Sequence, residues 1–356
     1  MSTAIEAGVA RAMADDAGSF LQQMDLVLRR ALFVRLSQED LRAASFLDER
    51  LGMQGREGFW VPLRGIAEVA SAMAHEAHTA DFIFHIGHCG STLLSRLLDQ
   101  DAGILGLREP LVLRELAVAE RELESTSARL STDQWQRLFA DTLAILGRRF
   151  APEQKVIIKA TSSCNNLIER VLAFDARVRI VLMYLPLESY LATMMKAPGG
   201  GLDVLHGAPA RLQFLDRALG GIPLRLHQLD TAETVAMGWV AELLRFQQIR
   251  ATAAYARRVM LLDFEKLLED PATHLDAVRA HMGLAELPAD NAALMQSAVM
   301  RAYAKSPTHA YTPADRAHDL DLSRRRFGNE IARGMAFAEK LLGEYPQCEP
   351  LRTLLR

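Results

Sequence analysis

The stretch FIFHIGHCGSTLLSR, residues 82–96, decides the fold of this chain. Its first five residues are mostly aromatic or β-branched, which is typical of a buried strand. Gly87 and Gly90 then permit a sharp turn, and Ser91 and Thr92 offer hydroxyls where a helical pattern begins. A strand, loop and helix in this order direct backbone N–H groups and the positive end of the helix dipole at one point. The stretch therefore predicts a site for phosphate or sulfate.

The loop differs from the Walker A motif of ATP- and GTP-binding proteins. That motif has a lysine before its Ser or Thr, whereas here Ser91 follows Gly90 directly. Without that lysine nothing in the loop reaches β- and γ-phosphates, which argues against ATP or GTP hydrolysis. From this stretch alone, an ordinary strand–turn–helix unit stays open as an alternative.

Composition indicates an ordinary globular protein. Of 356 residues, 50% are hydrophobic and 24% are charged, and the formal net charge is -3. Such a charge gives no global basic field for nucleic acid or an anionic membrane, so any anion site must be local. The N-terminus lacks a signal-peptide pattern, and no apolar run approaches the about 20 residues that span a bilayer. We expect a cytoplasmic protein with neither nucleic acid nor a membrane as partner.

The three cysteines, Cys89, Cys164 and Cys348, are isolated, without a C-x-x-C pair. This fits a reducing compartment and argues against a disulfide framework or a cysteine-based zinc site. His85 and His88 with Cys89 have a faintly metal-like spacing, but no second cluster completes a site, so no metal is expected. Cys89 is interpreted as a small residue in a tight loop.

Strand-like and helical segments alternate along the chain. Buried strands are predicted at 82–86, 155–159, 178–184 and 258–263, and a short edge strand at 59–63. Helical patterns of more than ten residues between the buried strands imply crossover connections. The predicted fold is therefore α/β, with a mainly parallel sheet, helices on both faces and helical insertions.

The same pattern divides the chain into three parts. Residues 1–79 form a predicted N-terminal helical appendage, because apolar residues recur at helical spacing from Phe20 to Ala31 and Ser37 marks a second helix start. Residues 80–345 form the α/β domain, and residues 346–356 form a C-terminal tail.

Ligands of open parallel sheets bind outside the carboxyl ends of the strands. Lys159, Tyr184 and Asp263 close three of the predicted strands. A lysine at the end of an apolar strand is expected to lie beside the neighbouring loop. The alternative is that its side chain extends along the apolar surface and places its charge in solvent. Glu109 precedes Pro110, which can open a helix, so its carboxylate is either a general base or a stabiliser of the helix start.

Taken together, these segments resemble the P-loop sulfotransferases, in particular the branch of tyrosylprotein, carbohydrate and many bacterial sulfotransferases. The resemblance covers roughly residues 80–345. GHCGSTLL at 87–94 is similar to the family's P-[RK]-S-G-[ST]-T-L-L loop, which holds the 5′-phosphosulfate of 3′-phosphoadenosine 5′-phosphosulfate. Further segments match in the family's order: the acidic segment at 108–110, the lysine-bearing strand and helix at 156–172, the 3′-phosphate segment at 176–195, and the late tract at 259–284.

This resemblance implies a P-loop-type domain that moves a sulfuryl group from that donor to the hydroxyl of a small-molecule or peptide acceptor, without a metal. It implies Glu109 as general base, Lys159 as electrostatic stabiliser, and His88 as a further positive charge when protonated. A histidine satisfied by loop carbonyls is the alternative for His88. A homo-oligomer is left open. The donor contacts that it implies are Gly87, His88, Cys89, Gly90, Ser91, Thr92, Tyr184, Thr193 and Lys305.

Three positions depart from the family pattern. His88 stands where the loop carries Arg or Lys, Tyr184 where the arginine for the 3′-phosphate belongs, and Ala192 where its serine belongs, with Thr193 adjacent. A charge-assisted phosphate contact is worth about 1.5–3 kcal/mol, so these losses bear on donor affinity.

Other residues can supply the missing charge, and other functions stay open. Arg301, Lys305 and the run at 324–326 are candidates, although an exposed helix face is the alternative for that run. A catalytically silent relative that only binds is one alternative function. A P-loop kinase is another, disfavoured by the absent Walker lysine.

Overall fold

The computed structural model describes residues 6–73, 79–196, 202–286, 297–304 and 306–355. The strands in these ranges are β1 (Ser19–Asp25), β2 (Arg30–Arg35), β3 (Gly58–Pro62), β4 (Asp81–His85), β5 (Ile104–Arg108), β6 (Lys155–Lys159), β7 (Ile180–Tyr184), β8 (Val259–Asp263), β9 (Ala302–Tyr303) and β10 (Ser306–Ala310).

The α-helices in the same ranges are α1 (Ala7–Asp15), α2 (Gln38–Ala43), α3 (Gly65–Ala72), α4 (Ser91–Leu98), α5 (Leu111–Glu122), α6 (Thr132–Leu146), α7 (Ile168–Phe174), α8 (Leu187–Met195), α9 (Leu202–Ala218), α10 (Thr231–Ala251), α11 (Phe264–Glu269), α12 (Pro271–His281), α13 (Ala298–Arg301), α14 (Pro313–Arg326) and α15 (Gly328–Glu344). None of these helices is both long and apolar enough to cross a membrane.

The prediction of an α/β fold with a mainly parallel sheet is confirmed. Five strands form a parallel sheet in the order β5-β6-β4-β7-β8, in which β4 and β5 both pair with β6. The sequence predicted four of these strands but not β5, because Gly106 interrupts its short apolar run. A Cβ at Gly106 would lie 3.1 Å from the guanidinium of Arg108 and 3.2 Å from the carboxyl carbon of Asp99. Close packing of these side chains therefore explains the glycine.

The prediction of helix from the spacing of apolar residues between Phe20 and Ala31 is wrong. β1 and β2 form an antiparallel hairpin there, and β3 completes a sheet in the order β1-β2-β3. The carboxylate of Asp25 accepts hydrogen bonds from the N–H groups of Val27 and Leu28, and Arg29 takes a φ of 54°, so the chain turns. Val27 and Leu28, counted as a helical face, are exposed at this turn.

Two other expectations for this region are confirmed. β3, at the edge of the three-stranded sheet, is the predicted edge strand. Ser37 caps α2, because its hydroxyl accepts from the N–H of Asp40 while the Asp40 carboxylate accepts from the N–H of Ser37.

The fold divides into two compact units, residues 1–84 with 92–180 and residues 85–91 with 181–356. In the second unit, α10 is buried along most of its length and packs against α9 and α15. The predicted C-terminal tail forms a 3₁₀ helix, Pro346–Leu354, which buries Cys348 and Leu351. The domain boundaries read from the sequence stay predictions.

Candidate active site

In the second unit, residues 86–90 form the loop between β4 and α4. Gly87, His88 and Gly90 have φ angles of 90°, 50° and 72°. His88 is half-buried, and the left-handed conformation costs a residue with a side chain roughly 1–2 kcal/mol. The N–H of Gly87 donates to Nδ1 of His85 at 2.9 Å. His85 therefore fixes the start of the turn and occupies one of the loop's amides.

The rest of the loop is closely packed. A Cβ at Gly90 would lie 2.0 Å from Cε2 of Phe264, the first residue of α11, so the ring rests directly on the loop backbone. Cys89 is buried, and its thiol donates to the carbonyl of Met183 at 3.4 Å. The position thus suits a small residue in a tight loop.

The hydroxyl residues after the loop are buried. Ser91 begins α4, and Thr92 follows it. Among the residues that the structure describes, none forms a hydrogen bond with Oγ1 of Thr92, although this atom is inaccessible to solvent. A buried hydroxyl without a partner costs about 1–3 kcal/mol, and an oxygen of a bound anion would satisfy it.

In the first unit, Glu109 and Lys159 form an ion pair. Lys159 ends β6, and the sheet register places it beside Ile83 of β4 and Arg108 of β5. Its Nζ contacts Oε1 of Glu109, and its carbonyl accepts from the N–H of Glu109 at 2.7 Å. Only 1% of the Lys159 side chain is exposed, so the alternative of a solvent-exposed strand-end lysine is excluded.

The carboxylate of Glu109 does not cap α5 through a hydrogen bond in the structure. That helix begins after Pro110 without a side-chain cap in the structure, because the Glu109 carboxylate turns instead toward Lys159 and Arg50. Arg50 donates to Oε2 of Glu109 at 2.8 Å. Glu109 has a φ of 56° and His88 a φ of 50°. Both of these candidate catalytic residues therefore have a left-handed backbone conformation. Strained conformations of this kind concentrate at functional sites.

Sequence reasoning missed Arg50. It lies in a short 3₁₀ helix, Glu49–Leu51, 59 positions from Glu109 along the chain. Its guanidinium is bonded to the carboxylate of Asp48 and lies 3.3 Å from the ring centre of Phe46. No motif marks this pairing, because it depends on a long-range contact.

The residues implied for the donor's 3′-phosphate make other contacts in the second unit. Tyr184 ends β7, and burial together with the carboxylate of Asp263 at the end of β8 raises the pKa of its phenol. Thr193 donates its hydroxyl to the carbonyl of Ser189 within α8 at 2.8 Å. The carbonyl of Ala192 accepts from Ser323 of α14 at 2.6 Å. Their part in donor binding stays a prediction.

The arginine run at the end of α14 has two kinds of members. Arg324 donates to the carboxylate of Glu188 at 3.1 Å and to the hydroxyl of Ser189 at 3.3 Å, so it contacts α8. Arg325 and Arg326 are exposed, which agrees with the alternative interpretation of this run as a solvent-exposed helix face.

Arg301, Lys305 and Arg316 are the other candidates for the missing positive charge near the donor. Arg301 is exposed, and Lys305 lies outside the described residues. Arg316 of α14 is a further candidate, since its guanidinium lies 5.3 Å from the ring centre of Phe264, the residue that rests on Gly90.

Within the described ranges, no group of three or more His, Cys, Asp or Glu side chains could hold a metal ion. All three cysteines are free, and burial raises the pKa of Cys164 to about 12 and that of Cys348 to about 11. These two thiols are therefore poor nucleophiles at neutral pH.

Comparison with protein-family models gives no match, and comparison with curated protein sequences gives none. Among solved structures, the sulfotransferase domain from the curacin biosynthetic pathway matches at 13% identity and a TM-score of 0.40, over 74% of this chain and 97% of that one. Sulfotransferase STF1 from Mycobacterium tuberculosis H37Rv matches at 17% identity and 0.38, over 74% and 84%. Mouse sulfotransferase SULT7A1 complexed with PAP matches at 12% and 0.33, over 74% and 89%. Likenesses this distant support no statement about the activity of this chain.

Proposed function

We propose that this protein is a sulfotransferase that moves a sulfuryl group from 3′-phosphoadenosine 5′-phosphosulfate to an acceptor hydroxyl. The observation that carries the proposal is the ion pair of the partly buried Glu109 and the buried Lys159 at the carboxyl ends of β5 and β6, next to the strand that leads into the loop. Sulfuryl transfer requires a cation near the leaving oxygen and a base for the acceptor proton. The pair provides one of each.

The loop is the proposed cradle for the donor, which supplies the sulfuryl group when bound. The hydroxyl of Thr92, which has no partner among the described residues, and the buried hydroxyl of Ser91 suit anionic oxygens, together with the amides that follow Gly87. The amide of Gly87 itself is engaged by His85. His88 adds positive charge when protonated, and Arg316 is proposed as a further cation.

Glu109 is the proposed general base, and the acceptor hydroxyl reaches it beside the two cations that it contacts, Arg50 and Lys159. Both of its oxygens contact a cation, and each carboxylate oxygen can accept a second hydrogen bond, so the acceptor hydroxyl either shares an oxygen with its cation or replaces that contact before its proton moves to the carboxylate. Lys159 then stabilises the negative charge that develops on the leaving oxygen. The proposal includes a small-molecule or peptide acceptor, with neither nucleic acid nor a membrane as partner.

A catalytically silent relative is the second candidate. Tyr184 favours it, because an uncharged phenol beside Asp263 stands where the resembling family has an arginine for the donor. Thr193 favours a silent relative as well, because its hydroxyl already donates a hydrogen bond to the carbonyl of Ser189.

Calorimetry with adenosine 3′,5′-bisphosphate and with ATP separates the candidates. Binding of the bisphosphate alone supports the sulfotransferase, because its 3′-phosphate and 5′-phosphate match the expected donor. Binding of ATP alone indicates a P-loop kinase instead. Binding of neither supports the silent relative.

Turnover of labelled donor with a panel of hydroxyl compounds then tests the base. Glu109→Gln should lower transfer by about 10²–10⁴-fold and leave bisphosphate binding nearly intact, because the loop is untouched. Lys159→Ala should weaken both transfer and binding. Full turnover in the Glu109→Gln protein would remove this residue from the mechanism.

A further inference from the structure

Both carboxylate oxygens of Glu109 contact a cation within the first unit. Oε1 contacts Nζ of Lys159, and Oε2 accepts from Arg50 at 2.8 Å. The two cations differ in access, since 1% of the Lys159 side chain is exposed but 52% of the Arg50 side chain. An acceptor that approaches Glu109 from solvent therefore meets Arg50 before Lys159.

The side chain of Arg50 is held in place despite its exposure. Nε donates to both oxygens of Asp48, at 2.8 and 3.0 Å, and the carboxylate of Asp48 is 7% exposed. On another side the guanidinium lies 3.3 Å from the ring centre of Phe46. An exposed arginine ordinarily samples many rotamers, so these two contacts reduce the entropy cost of the bond to Glu109.

The backbone that carries Arg50 is attached to both sides of Glu109. The N–H of Leu47 donates to the carbonyl of Arg108 at 2.7 Å, and the N–H of Leu111 donates to the carbonyl of Leu47 at 3.2 Å. The side-chain amide of Gln22 donates to the same carbonyl of Leu47. This segment is therefore built onto the turn that contains Glu109, and the position of Arg50 follows from the fold.

We propose that Arg50 is a positioning residue of the transfer reaction, which holds Oε2 of Glu109 in the resting protein and releases it to the acceptor hydroxyl. This inference rests on the proposed function, in which Glu109 is the base. Since Lys159 is sealed from solvent, it keeps Oε1 while the exposed Arg50 yields its contact. In the meantime the charge of Arg50 favours the ionised carboxylate, the form that can accept a proton.

Several charged groups act on Glu109 from the elements around it. Lys159 reaches it from β6, and Arg50 reaches it from the 3₁₀ helix with Asp48 behind it. Arg114 of α5 lies in the same region but pairs with Glu49. Arg114 is therefore a matched control: an arginine of the same unit that does not bind the carboxylate.

The pH dependence of kcat/KM tests the inference. Arg50→Met should move the midpoint of the acid limb to higher pH by about one to three units, because an opposite charge within contact distance shifts a carboxylate by that much. Arg50→Lys, which keeps the charge without the planar fork, should restore part of the shift. Arg114→Met should leave the midpoint where it is in the wild type.

A second measurement does not depend on activity. Carbon-13 NMR of labelled glutamate carboxyls, with Glu109 assigned by its loss in Glu109→Gln, follows the titration of this side chain directly. A midpoint unchanged by Arg50→Met, or moved equally by Arg114→Met, overturns the role of Arg50 even if transfer is demonstrated. A midpoint that moves in a protein without transfer activity refutes the proposed function and leaves the hold of Arg50 on Glu109 standing.

Discussion

Gly90 is subject to two separate constraints within the loop. Its φ of 72° costs an L-residue roughly 1–2 kcal/mol, and a Cβ would overlap the ring of Phe264. Overpacking typically adds about 1–3 kcal/mol. We therefore expect Gly90→Ala to lower the free energy of unfolding by about 2–5 kcal/mol in urea denaturation, and to weaken binding of adenosine 3′,5′-bisphosphate.

Gly220→Ala is the matched control for the cost of the left-handed backbone conformation. Gly220 lies in the same unit with a φ of 78°, and no atom of the described residues lies within 4 Å of a Cβ placed there. Its substitution should cost only the roughly 1–2 kcal/mol of the strained conformation and spare ligand binding. Equal losses in the two variants would show that contact with Phe264 contributes nothing to the loop.

At this scale, the sequence predicted where some side chains stand but not what they touch. Lys159, Tyr184 and Asp263 do end their strands, because strand ends follow from apolar runs. The contact of Glu109 with Arg50 could not be predicted, since 59 residues separate the two and either could pair with many other charges. Partner choice depends on the tertiary fold.

Among the elements, the N-terminal hairpin shows how a pattern can mislead. Apolar residues from Phe20 to Ala31 recur at helical spacing, yet the same residues form β1, a turn and the start of β2. The turn places Val27 and Leu28 in solvent, so their spacing carried no information about the core. Short apolar segments fit either period, and pairing with β3 decides between them.

Arg148 connects three of these elements. Its buried guanidinium, just after α6, donates to the carbonyls of Met13 in α1, of Asp16, and of Ser19 in β1. Burial lowers the pKa of Arg148 to about 10, which still leaves it charged at neutral pH. Three hydrogen bonds from a charged donor are worth about 4.5–9 kcal/mol together, at about 1.5–3 kcal/mol each, but Met avoids the desolvation cost of the buried guanidinium. We therefore expect Arg148→Met to cost on the order of 3 kcal/mol.

Hydrogen exchange can locate that loss. Amides of α1 and β1 should lose protection in Arg148→Met, whereas those of β8, in the other unit, should change little. Arg149→Met is the control, since this neighbour donates to the carbonyl of Gln154 at 3.4 Å. An even loss of protection across the chain would contradict a local role for Arg148.

For the whole molecule, the alternation of strands and long helices was enough to predict the α/β class. The division into two units was not predictable, because the second unit groups residues 85–91 with residues 181–356. Such grouping arises from contacts between segments far apart in the chain, which local patterns do not encode.

The pH dependence of global stability depends on Glu115 in the first unit. Its Oε2 accepts from the N–H of Met24 at 2.6 Å, and burial raises its pKa to about 8 from the ordinary 4.5. Between these two values the folded protein holds a proton that the unfolded chain has released, so the free energy of unfolding falls as pH rises. From pH 6 to pH 8 this group should remove about 2 kcal/mol, at about 1.4 kcal/mol per pKa unit.

Glu115→Gln should abolish that fall, because an uncharged amide oxygen can still accept from Met24 but does not titrate. Urea denaturation at pH 6 and pH 8 would measure the difference. Asp40→Asn is the control: hydrogen bonds from Ser37, with help from Arg56, lower the pKa of Asp40 to about 2, so it is ionised in both states throughout this range. Its substitution should therefore change stability equally at both pH values. A pH slope in the Glu115→Gln protein as steep as in the wild type would mean that another group carries the titration.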